Sequence, residues 1–340
     1  MSKNSGRLQY LDWMRGIAVV LMIQTHVSDS FLAVNHRQSF WYWLSQFLGG
    51  MPAPMFLFLA GLSLALTLDR AKDGRIEKVV RRAGWILFLA YAFRFEQAAI
   101  WFPHPNWAGF WRVDILNCIG LSTLAAGLCA VAWRDRRRAA VGMALVAAAI
   151  VLATPLVFLV RTGYPPLLLD YINGGELHGY YFMFFSWGAF AFAGAAVGYA
   201  LIEARARGNE HRFLMKCGAA GVLAFWVGYY VNRFPQLRYG FVDYSRTSPQ
   251  YFLVRLGYML IFLYLSHLWM RRPTAGRWSP TIVFGQTSLL VYWVHIEIVY
   301  GRLRPFTNSL GVGATALQLV WIVPLMLAIS TARVRRLANR

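Results

Sequence analysis

Ten apolar stretches divide almost the whole chain, and they restrict its possible folds more than any other feature. Each has about the 20 mostly apolar residues that an α-helix needs to cross a bilayer. The chain of 340 residues is 58% hydrophobic and 14% charged, which excludes a disordered protein and disfavours a soluble enzyme. We predict an all-α polytopic membrane protein, a single domain over residues 1–340, with about ten transmembrane helices at 12–33, 47–69, 83–102, 112–133, 139–161, 179–202, 214–232, 250–270, 281–301 and 313–332.

Basic residues are distributed unevenly between the segments that connect these helices. The chain has 34 Lys and Arg against 14 Asp and Glu, a net charge of +20. In a soluble protein this charge would suggest a nucleic-acid partner. With a cytoplasmic N-terminus, however, 23 of the 34 basic residues fall in inner segments and 8 in outer ones. The positive-inside rule therefore predicts both termini in the cytoplasm, a multi-pass protein of the cell (inner) membrane and no nucleic-acid partner.

Two outer connections differ in composition from the short, basic inner ones. Residues 162–178 and 233–249 are rich in Tyr, Pro, Gly and Asn and carry few charges. Loops of this kind can cover a site or present stacking surfaces to a sugar. Aromatic anchoring at the membrane interface explains the same composition equally well. Both interpretations stay open.

The first apolar stretch carries polar residues that are costly in a membrane. Arg15 and His26 are eleven residues apart, about three helical turns, so they share a face at a separation of roughly 16 Å. Asp12 precedes Arg15 by three residues and can pair with it. Asp29 follows His26 by three residues and could orient its imidazole. A structural hydrogen bond would explain a lone histidine, but the shared face of Arg15 and His26 favours a functional pair.

Other apolar stretches carry polar residues that are either structural or in contact with substrate. The third and fourth contain Arg94, Asp114 and Asn117. Arg94 needs a carboxylate to neutralise it, and Glu96, Asp114 and Glu297 are the candidates. The ninth contains Tyr292, His295 and Glu297. No Cys or His spacing is typical of a metal site. His26, His36 and Asp29 could hold a metal in principle, but their spacing does not demand it, so no metal is predicted.

Several of these segments resemble one family of enzymes. Residues Leu11–Met22 (LDWMRGIAVVLM) followed by His26 resemble the transmembrane acyltransferase superfamily, and Arg15 and His26 form the Arg-x10-His motif of acyltransferase family 3, which includes O-antigen acetylases. Three further segments look like the branch that contains heparan-α-glucosaminide N-acetyltransferase and its bacterial relatives. They are Pro52–Leu66, Trp111–Ser122 and Phe284–Gly301. The resemblance runs in order through nearly the whole chain.

The resemblance implies acyl transfer across a membrane. Acetyl-CoA would be the donor on the cytoplasmic side, and a hydroxyl or amine of a carbohydrate would be the acceptor on the other side. Family 3 implies that His26 is catalytic and that Arg15 is essential. The glucosaminide branch has Asn at the position of His26 and its catalytic histidine about ten residues later, nearest to His36. We favour His26 because it shares a helix face with Arg15.

Roles for the remaining candidates follow from the anionic donor and the outer acceptor. Arg15 would hold the anionic end of acetyl-CoA, because a guanidinium binds phosphate well. Asp29 is grouped with the catalytic residues. The expected donor-binding residues are Asp12, Arg15, Arg94, Asp114 and Asn117, and the expected acceptor-binding residues are Tyr292, His295 and Glu297. The expected partners are the lipid bilayer, acetyl-CoA and a glycan, with a homo-oligomer possible in principle.

A transporter or flippase-like carrier without covalent chemistry is the main alternative. Ten spans with buried charged residues suit it as well. A transporter would favour paired broken helices and an internal repeat, and the sequence shows neither clearly. A structural membrane scaffold would explain the hydrophobicity but not the shared face of Arg15 and His26.

Overall fold

The described part of the chain is helical. The computed structural model describes residues 7–71, 73–99, 107–158, 166–172, 182–234, 248–272, 278–301 and 303–339, and within them the sole β-type pairing is an isolated bridge between Leu32 and Leu310. The helices are α1 (Gln9–Phe31), α2 (Phe40–Gly49), α3 (Pro52–Asp69), α4 (Arg75–Ala99), α5 (Trp107–Phe110), α6 (Ile115–Val131), α7 (Arg136–Val157), α8 (Pro166–Ile172), α9 (Phe184–Ala206), α10 (Glu210–Val231), α11 (Pro249–Met270), α12 (Pro280–Gln286), α13 (Ser288–Val299) and α14 (Val312–Ala338), with a 3-10 turn at Val34–His36.

Six helical segments of the described chain are long and apolar enough to cross a membrane. They are α2 together with α3, then α7, α9, α10, α11 and α14. The all-α class and the membrane character expected from the sequence are therefore confirmed. The predicted spans 12–33, 83–102 and 112–133 correspond to α1, α4 and α6, which do not meet the same measure of length and hydropathy. The count of about ten spans and the cytoplasmic termini stay predictions.

The ninth predicted span, 281–301, is not one continuous helix. It is bent by 90° between α12 and α13. At the bend, the backbone of Thr287 leaves the helical region (φ −118°, ψ 19°) and its hydroxyl donates a hydrogen bond of 2.8 Å to the carbonyl oxygen of Val283. A threonine hydroxyl that bonds one turn back competes with the helical ladder and bends helices. Hydropathy alone does not detect such a break.

The chain forms two compact units, each with its own packing. Unit 1 consists of Met1–Met55 and Phe262–Arg340, and unit 2 consists of Phe56–Ile261. The expected single membrane domain over residues 1–340 stays a prediction. The two outer connections at 162–178 and 233–249 lie mostly outside the described residues.

In unit 1, helix α1 packs against α2, α12, α13 and α14. Two glycines bring α1 and α12 into backbone contact. A Cβ atom on Gly16 would lie 1.8 Å from the carbonyl oxygen of Thr281, and one on Gly285 would lie 1.8 Å from that of Asp12. Any larger residue would force the helices apart. These contacts therefore fix where α1 lies along α12.

Unit 2 is built around α9. Helix α9 packs against α6, α7 and α10, and α4 packs against α6. Small side chains allow this close approach, as is typical of helices in membranes. The small buried residues of α9 are Gly188, Ala189, Ala191, Ala193, Gly194, Ala195, Ala196 and Gly198.

Three helices present large apolar side chains to the outside. These residues are Val141, Leu145, Leu152 and Leu156 on α7, Leu223, Trp226 and Val227 on α10, and Leu317, Val320 and Trp321 on α14. Soluble monomers rarely expose contiguous apolar patches of more than a few hundred Å². A bilayer would cover such faces, which agrees with a membrane protein.

Candidate functional site

Two histidines from distant parts of the chain meet in unit 1. Helix α1 carries His26 and helix α13 carries His295, and the Nδ1 atom of His26 lies 2.8 Å from the Nε2 atom of His295. The two rings are parallel within 1°, with centroids 5.1 Å apart. His295 is fully buried, whereas His26 is partly exposed. The pair therefore has a buried member and a member with access to the outside.

The second ring nitrogen of His295 also has a partner. Its Nδ1 atom lies 2.7 Å from the carbonyl oxygen of Val291, one turn earlier on α13. The ring of Tyr292 contacts His295 edge-on, with centroids 6.0 Å apart. The sequence predicts Tyr292 and His295 as acceptor-binding residues. In the structure both are buried, and their role in acceptor binding stays a prediction.

Tyr300 completes the surroundings of His26. Its ring lies edge-on to His26 with centroids 5.5 Å apart, and its hydroxyl donates a 3.0 Å hydrogen bond to the Asp29 carboxylate. From the sequence we expect Asp29 to orient His26. In the structure the Nδ1 atom of His26 lies beside His295, and the Asp29 carboxylate accepts the hydrogen bond from Tyr300. The orienting role of Asp29 stays a prediction. We call His26, Asp29, His295 and Tyr300 the His26 cluster.

A set of loop contacts fixes the end of α1 that carries His26. Ser30 donates a 2.6 Å hydrogen bond to the carbonyl oxygen of Val299. The guanidinium of Arg37 donates to the carbonyl oxygen of Asp29 at 2.7 Å and to the side chain of Asn308 at 3.0 Å. These bonds tie α1 to the end of α13 and to the segment before α14. The His26 cluster is thus held at several points.

The other end of α1 carries a compact group of charges. Arg7 donates two hydrogen bonds to the Asp12 carboxylate, at 2.5 and 3.1 Å, and Arg15 donates a third at 3.3 Å. The bond to Asp12 raises the pKa of Arg7. The predicted Asp12–Arg15 pair is confirmed, and Arg7 is an unpredicted third member. Arg7, Asp12 and Arg15 together carry a net charge of +1, and the side chain of Arg15 is partly exposed.

Two other candidates lie in unit 1. His36 is exposed in the 3-10 turn Val34–His36, and its expected outer or border position stays a prediction. Glu297 is partly buried on α13, and its carboxylate packs so closely on Gly301 that a Cβ atom there would lie 2.3 Å from it. The catalytic role considered for His36 and the acceptor-binding role expected for Glu297 stay predictions.

The remaining candidates form a separate polar group in unit 2. Arg94 donates a 2.7 Å hydrogen bond to Asp114, and Asp114 caps the N-terminus of α6 by accepting from the backbone of Ile115 at 2.7 Å. The side chain of Asn117 accepts from the backbone of Asp114 at 3.1 Å and donates to the Tyr171 hydroxyl at 2.8 Å. Arg94 thus pairs with Asp114, one of the three carboxylates that the sequence offers for it.

Tyr91 is the last member of this group. Its hydroxyl lies 2.6 Å from the Tyr171 hydroxyl, and burial raises the pKa of Tyr171. We call Tyr91, Arg94, Asp114, Asn117 and Tyr171 the Asp114 cluster. Asn117 is almost fully buried, and its described bonds are all to neighbouring residues of the protein. This arrangement suits a helix cap and an anchor for α8.

Metal ligation has no obvious location in the described ranges. Among those residues, no three His, Cys, Asp or Glu side chains are grouped closely enough to hold an ion. The histidine pair together with Asp29 is arranged around Tyr300, not around a common centre.

Comparison with known proteins adds one finding. No curated protein matches the sequence significantly. A family profile described as "Heparan-alpha-glucosaminide N-acetyltransferase, catalytic" matches residues 7–228, which confirms the resemblance to that branch, while the family 3 motif stays a resemblance. The match covers more than half of the chain and contains both Arg15 and His26, so the chain belongs to the heparan-alpha-glucosaminide N-acetyltransferase catalytic family, a family of acetyltransferases.

Proposed function

We propose that this protein is a membrane-embedded acyltransferase that moves an acetyl group from cytoplasmic acetyl-CoA to an extracytoplasmic carbohydrate. Its location would be the cell (inner) membrane. The family supplies the reaction class. The observation that carries the assignment to a site is His26, a partly exposed imidazole held by a buried partner on a helix within the matched region. Imidazole is the usual general base for chemistry near neutral pH.

The proposed reaction needs one proton acceptor that is regenerated in each cycle. The neutral His26 ring takes a proton from the acceptor's hydroxyl or amine as the oxygen or nitrogen attacks the thioester carbonyl carbon. The carbon–sulfur bond then breaks, and the CoA thiolate leaves with the proton from the His26 imidazolium. In the covalent variant, His26 attacks the thioester carbon and the carbon–sulfur bond breaks, which releases the CoA thiolate. The acceptor's oxygen or nitrogen then attacks the acetyl carbon, the bond to His26 breaks, and the acceptor's proton is taken up by the thiolate. Both routes return His26 to its neutral form.

The charges near the start of α1 support a donor site. Acetyl-CoA carries its phosphates at one end and its thioester at the other. The net positive charge shared by Arg7, Asp12 and Arg15 suits the phosphates, because charge-assisted bonds to a guanidinium are strong. His26 lies three turns further along the same helix, roughly 16 Å away. That separation suits an extended donor whose thioester reaches the imidazole.

One observation favours the carrier alternative. Helices α12 and α13 form a broken segment beside α1 in unit 1, and broken helices are typical of substrate sites in secondary transporters. A carrier would bind its cargo without consuming acetyl-CoA. The two functions therefore differ in whether CoA thiol is released.

The test is acetyl transfer by the purified full-length protein in detergent. We expect acetyl-CoA and a panel of amino sugars and glycans to give CoA thiol and an acetylated product. His26→Ala should lower turnover by about 10²–10⁴-fold while CoA binding is retained, because a base is lost and the donor contacts are not. His36→Ala is the matched control and should keep measurable turnover.

Three outcomes would contradict the proposal. An inactive His36→Ala beside an active His26→Ala would move the chemistry to the position that the glucosaminide branch uses. Normal transfer by both variants would remove the α1 mechanism. Binding of glycans without any release of CoA thiol, across the whole panel, would support the carrier.

A further inference from the structure

We propose that His295 is a positioning residue that fixes the tautomer of His26, so that Nε2 of His26 is the reacting atom. The inference rests on the proposed role of His26 and goes beyond it. His295 lies outside residues 7–228, so the family match assigns it nothing. The role follows from two hydrogen bonds and from the rule that each bond needs one donor and one acceptor.

The first step concerns His295. Its Nδ1 atom lies 2.7 Å from the carbonyl oxygen of Val291. A carbonyl oxygen can only accept a hydrogen bond, so Nδ1 of His295 must carry the proton. In a neutral imidazole the other nitrogen then holds a lone pair. The Nε2 atom of His295 is therefore an acceptor.

The second step determines which ring nitrogen of His26 carries the proton. Because Nε2 of His295 accepts, the Nδ1 atom of His26, 2.8 Å away, must donate. A neutral His26 with its proton on Nδ1 has its lone pair on Nε2. That atom can take a proton or attack a carbonyl carbon, whereas the opposite tautomer could do neither through Nε2. The backbone of α13 thus determines which atom of α1 reacts.

His295 is neutral in this arrangement. It is fully buried, and its partners are a carbonyl oxygen and another imidazole, neither of which is an anion. A charge on His295 would be buried without a counterion at either nitrogen, which is costly. When His26 takes up a proton on Nε2, its Nδ1 atom still donates to His295. The same bond therefore persists in both states of His26.

The aromatic neighbours keep the two rings in this geometry. Tyr292 contacts His295 edge-on and Tyr300 contacts His26 edge-on, while the two imidazole planes are parallel within 1°. The break at Thr287 allows α13 to follow a direction that α12 does not, so that His295 faces α1. A continuous helix over 281–301 would not combine the α1–α12 backbone contact with this pairing.

The first test needs no substitution at His295. Nitrogen-15 NMR of the full-length protein in detergent, with the His26 signals assigned by their loss in His26→Gln, reports which ring nitrogen carries the proton. Above the titration of His26 we expect Nδ1 protonated and Nε2 unprotonated. The opposite tautomer, or an even mixture of the two, would overturn the proposal. This measurement does not depend on activity.

The second test uses three substitutions of His295, whose Nε2 atom accepts the hydrogen bond from His26. His295→Gln keeps a side-chain oxygen that can accept from His26, so we expect turnover within about tenfold of the parent protein. His295→Leu offers no acceptor and should lower kcat with little change in the KM for acetyl-CoA. His295→Lys offers only donors, should favour the wrong tautomer of His26, and should lower kcat by about 10²–10⁴-fold.

The NMR tautomer of His26 is read in each variant that folds. Loss of the Nδ1–H form in His295→Leu together with its retention in His295→Gln supports the proposal even if His295→Lys fails to fold. Equal kcat and an unchanged tautomer in His295→Leu would show that His295 only packs. A parent protein that binds CoA but never transfers acetyl would contradict the proposed function, while the tautomer measurement would still decide the role of His295.

Discussion

The His26 cluster and the Asp114 cluster both place polar groups on apolar helices, but they satisfy them differently. In the Asp114 cluster an ion pair, a helix cap and a buried amide bond to one another, and Asn117 is almost fully buried. In the His26 cluster the hydrogen bonds start at the Val291 carbonyl and continue through the buried His295 to a partly exposed His26. The described bonds of the first group thus join neighbouring residues, and those of the second include a partly exposed ring.

This difference distinguishes a structural from a functional role for polar side chains in membrane helices. A polar side chain in a membrane helix must be satisfied, and a structural cluster does so with neighbours on all sides. In a functional cluster, neighbouring residues hold in place the side chain that acts on a ligand. The sequence assigns Arg94, Asp114 and Asn117 to donor binding. Their geometry is instead that of a structural cluster, and donor binding stays a prediction to be tested.

The largest effect on stability is expected in the Asp114 cluster. Asp114→Ala removes the cap of α6 and leaves the Arg94 guanidinium without its carboxylate, so we expect a loss of about 2–4 kcal/mol of stability. Asp114→Asn retains a capping oxygen and should lose less. His26→Ala is the comparison and should lose about 1 kcal/mol.

Thermal unfolding of the three variants in one detergent measures this difference. A His26→Ala variant that is as unstable as Asp114→Ala would give both clusters a structural role. An Asp114→Ala variant that is stable but no longer binds CoA would return Asp114 to the donor site, as the sequence predicts.

Local interactions were the predictable part of these clusters. Asp12 and Arg15 are three residues apart on one helix, so helical periodicity alone indicates their pair. The Arg94–Asp114 pair could be expected because a membrane helix offers few carboxylates to a buried guanidinium. The helical class followed from the apolar stretches. Each of these inferences uses sequence spacing or the cost of a buried charge.

The contacts that define the candidate site were not predictable in this way. His26 and His295 are 269 residues apart, and their contact depends on the backbone approach of α1 and α12 at Gly16 and Gly285. The bend lies at Thr287, whose backbone leaves the helical region, and hydropathy does not register such a break. Tyr300 carried one available signal, since it follows His295 by five residues and borders the apolar stretch.

Substitutions of Arg15 and Arg94 should have different effects on the binding of CoA. Arg7 and Arg15 share the Asp12 carboxylate, so these three residues together carry a net charge of +1, whereas Arg94 and Asp114 form a pair of opposite charges. We expect Arg15→Ala to weaken CoA binding by about tenfold or more, which corresponds to about 1.5–3 kcal/mol for a lost charged hydrogen bond. Arg15→Lys should recover only part, because lysine lacks the bidentate fork. Arg94→Lys keeps a cation beside Asp114 and should bind CoA normally.

Asp12→Asn is a control for which CoA affinity should not fall, in contrast to Arg15→Ala. It removes one negative charge beside the guanidinium groups of Arg7 and Arg15, so CoA affinity measured by calorimetry should stay equal or rise. Equal affinity in the parent protein, Arg15→Ala and Arg15→Lys would exclude Arg15 from donor binding. Weaker binding by Arg94→Lys alone would place the donor at the Asp114 cluster instead.

The smallest expected effect tests how Asp29 acts on His26. If Asp29 works by holding Tyr300, then Tyr300→Phe and Asp29→Asn break or weaken the same hydrogen bond while the ring beside His26 remains. Each should lower kcat by about two- to tenfold, the range of one hydrogen bond, and the double variant should be little worse than either single one. If Asp29 orients His26 directly, as the sequence predicts, Asp29→Asn should be far more damaging than Tyr300→Phe. The two effects should then add in the double variant. Steady-state kcat of the four proteins at saturating acetyl-CoA distinguishes these cases, because a shared bond gives coupled effects whereas separate contacts to the imidazole do not.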